Sequence, residues 1–76
     1  MNDSLKIAIC GATGYVGIEL VKILLKHKKV KIIYLCAQKS VGQKISKFDK
    51  SLSKKKLPLI TKINEINFNN IDLIFS

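Results

Sequence analysis

Arginine and tryptophan are absent from this 76-residue sequence, proline occurs once, and cysteine occurs twice. All 14 basic residues are therefore lysines, which are spread along the chain and give a net charge of +9. Sequence-specific recognition of nucleic acid relies on arginine forks and on aromatic side chains that stack on bases. No aromatic residues are interleaved with these lysines in the way that base stacking needs, so a basic nucleic-acid-binding domain is the weakest alternative. We expect no nucleic-acid partner.

Long apolar runs and metal-ligand clusters are also missing. No stretch of roughly 18 apolar residues is present, and the start Met1-Asn2-Asp3-Ser4 lacks the basic region and apolar core of a signal peptide. Cys10 and Cys36 each stand in or at the end of an apolar run and outside any C-x-x-C pair, which is typical of buried thiols in a reducing compartment. We therefore expect a cytoplasmic protein with no membrane partner and no metal.

The first half of the chain has the pattern of a βαβ unit. Residues 5–10 and 30–36 are short apolar, β-branched runs of the kind found in buried parallel strands. Between them the sequence predicts an amphipathic helix that begins at Tyr15 and ends near His27. Its apolar positions recur three or four residues apart, at Val16, Leu20, Ile23 and Leu24.

The second half has weaker signals. Residues 38–56 are polar and lysine-rich, which predicts a long connection with at most one helical turn. Residues 57–60 are a candidate third strand at a sheet edge because of Pro58. Residues 62–67 are a candidate helical turn, and residues 71–75 a closing strand. The predicted fold class is α/β, a Rossmann-like parallel sheet made of the first βαβ unit and one or two further strands.

The loop between the first strand and the helix, GATGYVG at residues 11–17, carries the functional prediction. A strand that turns directly into a helix leaves the first N–H groups of the helix unpaired, and the helix dipole adds positive charge there, so a pyrophosphate fits. Gly11 allows the tight exit from the strand, Gly14 lets phosphates approach the backbone, and Gly17 lets the helix lie close to the sheet. A glycine-rich turn without a ligand is the alternative interpretation. The candidate cofactor-binding residues are Gly11, Thr13, Gly14, Tyr15, Val16 and Gly17.

Two side chains leave alternatives open. The Thr13 hydroxyl either donates to phosphate or caps the helix. An NAD site usually has a carboxylate about 20 residues after the loop, but here the sequence is Ala37-Gln38-Lys39-Ser40. Lys39 and Ser40 are therefore candidates for binding the 2′-phosphate of NADP, against the alternative that Lys39 is another solvated lysine.

With these residues, the chain resembles the N-terminal segment of the N-acetyl-gamma-glutamyl-phosphate reductases, enzymes of arginine biosynthesis. The resemblance rests on KIAICGATGYVGIELVKILLKH at 6–27, KIIYLCA at 31–37, KSVGQKIS at 39–46 and the closing IDLIFS. Aspartate-semialdehyde dehydrogenases share GATG and are the nearest competing family. Lys39 departs from the family pattern, in which arginine is common at that position.

The resemblance implies a parent oxidoreductase that reduces an acyl phosphate to an aldehyde with NADPH through a cysteine thioester. The family keeps its catalytic cysteine and histidine in a later domain, so residues 1–76 are expected to be a partial dinucleotide-binding domain without catalytic residues. His27 matches a histidine position at the end of the helix in this family, so we expect it to be a helix-terminus residue and not a catalytic base. The later domain of the parent protein is expected to bind the small-molecule acyl phosphate. The parent protein is also expected to be a homo-oligomer. A free-standing, non-catalytic nucleotide-binding module is the alternative from another class.

Overall fold

A four-stranded, all-parallel sheet forms the centre of the molecule in a computed structural model that describes residues 4–75. Residues 1–3 and Ser76, the ends of the predicted domain range, lie outside the described residues. The strand order is β3-β2-β1-β4. The strands are β1 (Leu5–Cys10), β2 (Val30–Cys36), β3 (Ile60–Thr61) and β4 (Leu73–Phe75).

The middle position of β1 explains its nearly continuous apolar sequence. Ile7 and Ile9 are buried in the larger core on the helix side of the sheet, whereas Ala8 is buried in a smaller cluster with Cys36 and Ile66. A strand buried on both faces needs apolar residues at successive positions rather than in alternation. The predicted Rossmann-like α/β fold is confirmed.

The α-helix α1 (Tyr15–Leu25) links β1 to β2 and ends two residues before the predicted end near His27. The predicted apolar face was partly wrong, because Val16 and Ile23 are exposed. Gly17 and Val21 are buried instead, with Leu24 packed beside them. The contact of Gly17 with the preceding loop sets which face of α1 meets the sheet. Within residues 4–75, no helix is both long and apolar enough to cross a membrane.

The connection between β2 and β3 required two corrections. It contains two short 3-10 helices, Ile45–Lys47 and Lys50–Leu52, where at most one helical turn was predicted. The third strand covers only Ile60–Thr61, so the predicted range 57–60 overlaps it at a single residue. Its predicted edge position is confirmed. Each short helix inserts one apolar side chain, Ile45 and Leu52, into the main core, which anchors a segment whose sequence shows no periodicity.

The rest of the second half is close to expectation. The 3-10 helix Ile63–Glu65 lies within the range 62–67 where one helical turn was predicted, and a second 3-10 helix, Phe68–Asn70, follows it outside that range. Strand β4 begins two residues later than the predicted range 71–75. Asp72 stands just before β4 and bonds both backbone groups of Lys6: its carboxylate accepts from Lys6 N at 2.9 Å, and its own N–H donates to Lys6 O at 2.7 Å. This pairing sets where β4 joins the sheet.

Ion pairs fix the connection to the helix. The Lys22 ammonium on α1 lies 2.6 Å from a carboxylate oxygen of Asp49 and 3.3 Å from Glu19. Asp49 also accepts hydrogen bonds from the backbone N–H and the hydroxyl of Ser51, at 2.9 Å and 2.6 Å. The Lys22 ammonium, with these Ser51 donors, lowers the pKa of Asp49 to about 2.

This pair predicts a pH dependence of stability. Because the pKa of Asp49 is lower in the folded chain than its ordinary value of 3.8, its contribution is complete above about pH 4 and is lost as the pH falls toward 2. We expect the urea midpoint of unfolding to fall over this window, and Asp49→Asn to remove part of that decrease. Glu65→Gln leaves the Lys22–Asp49 pair intact, so this variant should retain the full decrease of the urea midpoint. Identical pH profiles for the Asp49→Asn and unsubstituted proteins would contradict this assignment.

Candidate functional site

A cavity of about 740 Å³ opens at the carboxyl ends of β1, β2 and β3. Ligands of open α/β sheets bind outside the carboxyl ends of the strands, and cavities of this size hold small-molecule cofactors. The segments that follow the three strands supply the walls. The lining residues are Cys10, Gly11, Thr13, Gly14, Cys36, Ala37, Gln38, Lys39, Lys62, Ile63 and Asn64.

The loop after β1 is a tight turn tied to the neighbouring strand. Gly11 has a φ of +70°, a conformation that side-chain-bearing residues rarely adopt, and this allows the strand to turn sharply. The N–H of Gly14 donates to Gly11 O at 3.0 Å, and the N–H of Ala12 donates to Cys36 O at 3.0 Å. The loop is therefore fixed to both β1 and β2 before any ligand binds.

The start of α1 is open toward a ligand. Gly14 is the N-cap residue, and no side chain caps the helix. Thr13 was predicted either to donate to phosphate or to cap the helix. It precedes the N-cap residue, no side-chain capping bond is present, and Thr13 is among the residues that line the cavity. The first N–H groups of a helix have no carbonyl partner one turn earlier, and they carry the positive end of the helix dipole. An anion at this end of the cavity would be bound by backbone donors.

Gly17 permits the close packing that holds the loop against the helix. A Cβ atom at this position would lie 2.2 Å from Gly11 O and 2.9 Å from Ala12 Cα, both backbone atoms. Real side chains do not make such contacts, so only glycine fits. The sequence predicted that Gly17 lets the helix lie close to the sheet, whereas the close contacts found here are with the loop that precedes the helix. The contribution of Gly17 to the site is therefore indirect.

The predicted site residues fall into two groups. Gly11, Thr13, Gly14 and Lys39 line the cavity together. The other four predicted residues are outside the lining. Tyr15 and Val16 are highly exposed in the first turn of α1, Gly17 is buried beneath the loop, and Ser40 adopts a φ of +68° beyond the lining.

The lining also contains residues that the sequence analysis did not assign to the site. Lys62, Ile63 and Asn64 follow β3, and sequence spacing gave no indication that this segment lies beside the loop. Gln38 and Ala37 could have been found, because they directly follow β2 beside Lys39. The cavity extends further toward β3 than the motif indicates.

The charges of the lining are all of one sign. Lys39 and Lys62 are its charged residues, and no carboxylate is among the lining side chains. Within residues 4–75, the salt bridges all involve Lys22, so the ammonium groups of Lys39 and Lys62 form no ion pair there. A cavity with two unpaired cations and a helix N-terminus attracts polyanionic ligands.

Cys36 is a poor nucleophile. Cys36 is buried, and burial together with the adjacent Cys10 thiol raises its pKa to about 11, so it stays protonated near neutral pH. The predicted buried position is confirmed for Cys36, whereas Cys10 is half-buried. His27 follows α1 and lies near the amino end of β2, away from the cavity. Within residues 4–75, no three His, Cys, Asp or Glu side chains are grouped to bind a metal.

Comparison with known proteins gives consistent results. A family model described as "Semialdehyde dehydrogenase, NAD binding domain" matches residues 6–76. N-acetyl-gamma-glutamyl-phosphate reductase of Ehrlichia ruminantium (strain Gardel) is 42% identical over 76 residues, which cover 99% of this chain and 22% of that protein. The protein of the same name from Paracoccus denitrificans (strain Pd 1222) is 43% identical over 72 residues, covering 95% and 21%.

A solved structure shows the same architecture. The crystal structure of aspartate semialdehyde dehydrogenase with NADP from Candida albicans matches with a TM-score of 0.75 and 30% identity. The match covers 96% of this chain and 23% of that chain. This chain therefore spans about a fifth of the length of the proteins it resembles.

Proposed function

We propose, from the premise that this chain belongs to the semialdehyde dehydrogenase NAD-binding domain family, that it binds NADP in the cavity at the carboxyl ends of β1, β2 and β3. One observation carries this proposal. Among residues 4–75, the cavity combines an uncapped helix N-terminus with two lysines that form no ion pair, and no carboxylate is among its lining residues. An anionic dinucleotide suits this lining, and the missing carboxylate favours a 2′-phosphate over a free 2′-hydroxyl.

The residues of the cavity fit the two charged parts of the cofactor. The pyrophosphate would lie against the N–H groups at the start of α1, where Gly14 has no side chain to obstruct it and Thr13 can add its hydroxyl. The space beside Gly11 is also open, since a Cβ there would meet no atom within 4 Å. The 2′-phosphate would contact Lys39, because Ser40 lies outside the lining.

The proposed parent activity is the NADPH-dependent reduction of N-acetyl-gamma-glutamyl phosphate to N-acetylglutamate semialdehyde. The support is an identity of 42–43% to two reductases of that name, against 30% to the aspartate semialdehyde dehydrogenase. When bound, the reduced nicotinamide supplies the hydride. The residues of this chain bind and orient the cofactor, and the catalytic cysteine and its histidine base are proposed to belong to a later part of the parent protein.

An assay of the parent enzyme in the reverse direction, from aldehyde to acyl phosphate, distinguishes the two proposed substrates. We expect phosphate-dependent reduction of NADP with N-acetylglutamate semialdehyde and little with aspartate semialdehyde. The opposite preference would replace this proposal with the aspartate semialdehyde dehydrogenase alternative. Tight NADP binding by a protein that turns over neither aldehyde would favour a non-catalytic nucleotide-binding module.

Lys39→Asp should reverse the cofactor preference. A carboxylate at this position repels the 2′-phosphate and can accept a hydrogen bond from the ribose hydroxyl of NADH. We expect the Kd for NADPH to rise by about 100-fold, the effect of losing a charge-assisted contact and adding a repulsion, and the Kd for NADH to stay equal or fall. Isothermal titration calorimetry with each cofactor measures both values.

Lys44→Asp is the matched control for this experiment. It makes the same change of charge at an exposed lysine outside the cavity lining, so both Kd values should change little. If Lys39→Asp weakens the binding of NADPH and of NADH equally, or leaves both affinities unchanged, the assignment of Lys39 to the 2′-phosphate is wrong.

The setting of the parent protein is proposed on narrower grounds. Cys10 and Cys36 are both free thiols, which supports a reducing, cytoplasmic environment. Leu73 and Ile74 are exposed on the edge strand β4, which supports covering of this edge in a homo-oligomer or by further chain. The curated relatives are named for a small-molecule acyl phosphate, and we propose a substrate of that class for the parent.

A further inference from the structure

The turn after β3 joins the cavity through long-range strand pairing. Leu35 pairs with Ile60 and Cys36 with Thr61, and the N–H of Ala37 donates to Thr61 O at 3.0 Å. The chain leaving β3 at Lys62 therefore runs beside the chain leaving β2 toward Lys39. The two lysines line the same cavity although they are 23 positions apart in the sequence.

The backbone of Lys62 is fixed while its ammonium is unpaired. Its N–H donates to a carboxylate oxygen of Glu65 at 3.3 Å, and the N–H of Glu65 donates to Lys62 O at 3.0 Å. This reciprocal pair holds the turn through main-chain atoms at Lys62. Within residues 4–75, no salt bridge involves the Lys62 side chain, and Glu65 is not among the lining residues.

The absence of arginine makes a second lysine significant. A guanidinium can bind a phosphate with two parallel hydrogen bonds, whereas a lysine ammonium acts as a single point charge. The 2′-phosphate carries close to two negative charges near neutral pH. Lys39 alone neutralises about half of that charge, and this chain has no arginine that could replace it.

We propose that Lys62 is a second determinant of NADP specificity and that it binds the 2′-phosphate together with Lys39, one cation from the end of β2 and one from the end of β3. This inference rests on the proposed NADP-binding function. It assigns to two separate lysines the recognition that a single arginine fork can provide.

Replacing Lys62 with methionine tests this role because it removes the charge and keeps most of the side-chain length. The main-chain bonds to Glu65 are retained, so the turn should persist. We expect Lys62→Met to weaken binding of NADPH and of 2′,5′-ADP by about tenfold, the effect of one lost charge-assisted contact. Binding of NADH and of adenosine 5′-monophosphate, which lack the 2′-phosphate, should change less than twofold. Calorimetric titration of the purified protein measures all four.

Lys56→Met is the matched control, since Lys56 is an exposed lysine outside this cavity and its loss should leave all four affinities unchanged. An unchanged NADPH affinity in Lys62→Met, or an equal loss for NADPH and NADH, would overturn the role of Lys62 while leaving the cofactor assignment in place. Failure of the unsubstituted protein to bind any of the four ligands would overturn both proposals.

Discussion

Gly17→Ala is expected to lower the free energy of unfolding by about 2 kcal/mol, within the range of overpacking substitutions. The new methyl group would lie 2.2 Å from Gly11 O and 2.9 Å from Ala12 Cα. Both atoms belong to the backbone, so no side chain can rotate away, and either the loop or the helix must move. Alanine normally favours a helix over glycine by about 1 kcal/mol, which the clash more than offsets. Urea unfolding followed by circular dichroism measures the change.

Gly14→Ala is the matched control, with the same substitution three residues earlier. Gly14 has a φ of −77°, which any residue adopts, and a Cβ there would have one close neighbour, Gly11 O at 3.3 Å. This contact requires a shift of only a few tenths of an ångström, so Gly14→Ala should change the free energy of unfolding by at most about 1 kcal/mol, clearly less than Gly17→Ala. If Gly17→Ala were as stable as the unsubstituted protein, the close contact between α1 and the loop would be refuted.

The first βαβ unit could be predicted from the sequence because its signals are local. Strands β1 and β2 are short apolar runs whose bounds match the prediction, and the loop glycines mark the start of α1. The buried face of the helix could not be found from periodicity alone. Its sequence, YVGIELVKILL, has apolar residues on more than one side, and the contact at Gly17 selects the side that is buried.

The region between β2 and β3 was harder to predict for a physical reason. Its order depends on two isolated apolar anchors, Ile45 and Leu52, and on backbone bonds such as Gly42 N to Ile60 O at 2.7 Å. Neither feature has a sequence period. Strand β3 consists of two residues paired with β2, so the pairing partner defines it more than its own composition does.

The candidate site was predictable on one side and not on the other. Gly11, Thr13 and Gly14 lie within one motif, and Lys39 follows β2 at a spacing that the βαβ unit determines. Lys62 and Asn64 reach the cavity only because β3 pairs with β2 across a long connection. One sequence without an alignment contains no measure of that pairing, so a motif-based prediction describes the side of the cavity next to the glycine loop better than the side next to β3.

Gly14→Val is expected to abolish detectable NADPH binding while the fold is retained. The extended backbone of Gly14, with φ −77° and ψ 165°, suits a β-branched residue, and its Cβ, 3.3 Å from Gly11 O, requires a shift of only a few tenths of an ångström. The valine side chain would occupy the cavity at the start of α1, where the pyrophosphate must approach the helix N–H groups. Losing two charge-assisted hydrogen bonds costs about 3–6 kcal/mol, which raises Kd by at least 100-fold.

The pattern across cofactors distinguishes this variant from those of the lysines. Because the pyrophosphate is common to NADPH and NADH, Gly14→Val should weaken both equally, whereas Lys39→Asp should weaken NADPH selectively. Circular dichroism and the urea midpoint should match those of the unsubstituted protein, so that lost affinity is not confused with unfolding. A folded Gly14→Val protein whose NADPH affinity stays within threefold of the original would show that the helix start does not bind the pyrophosphate.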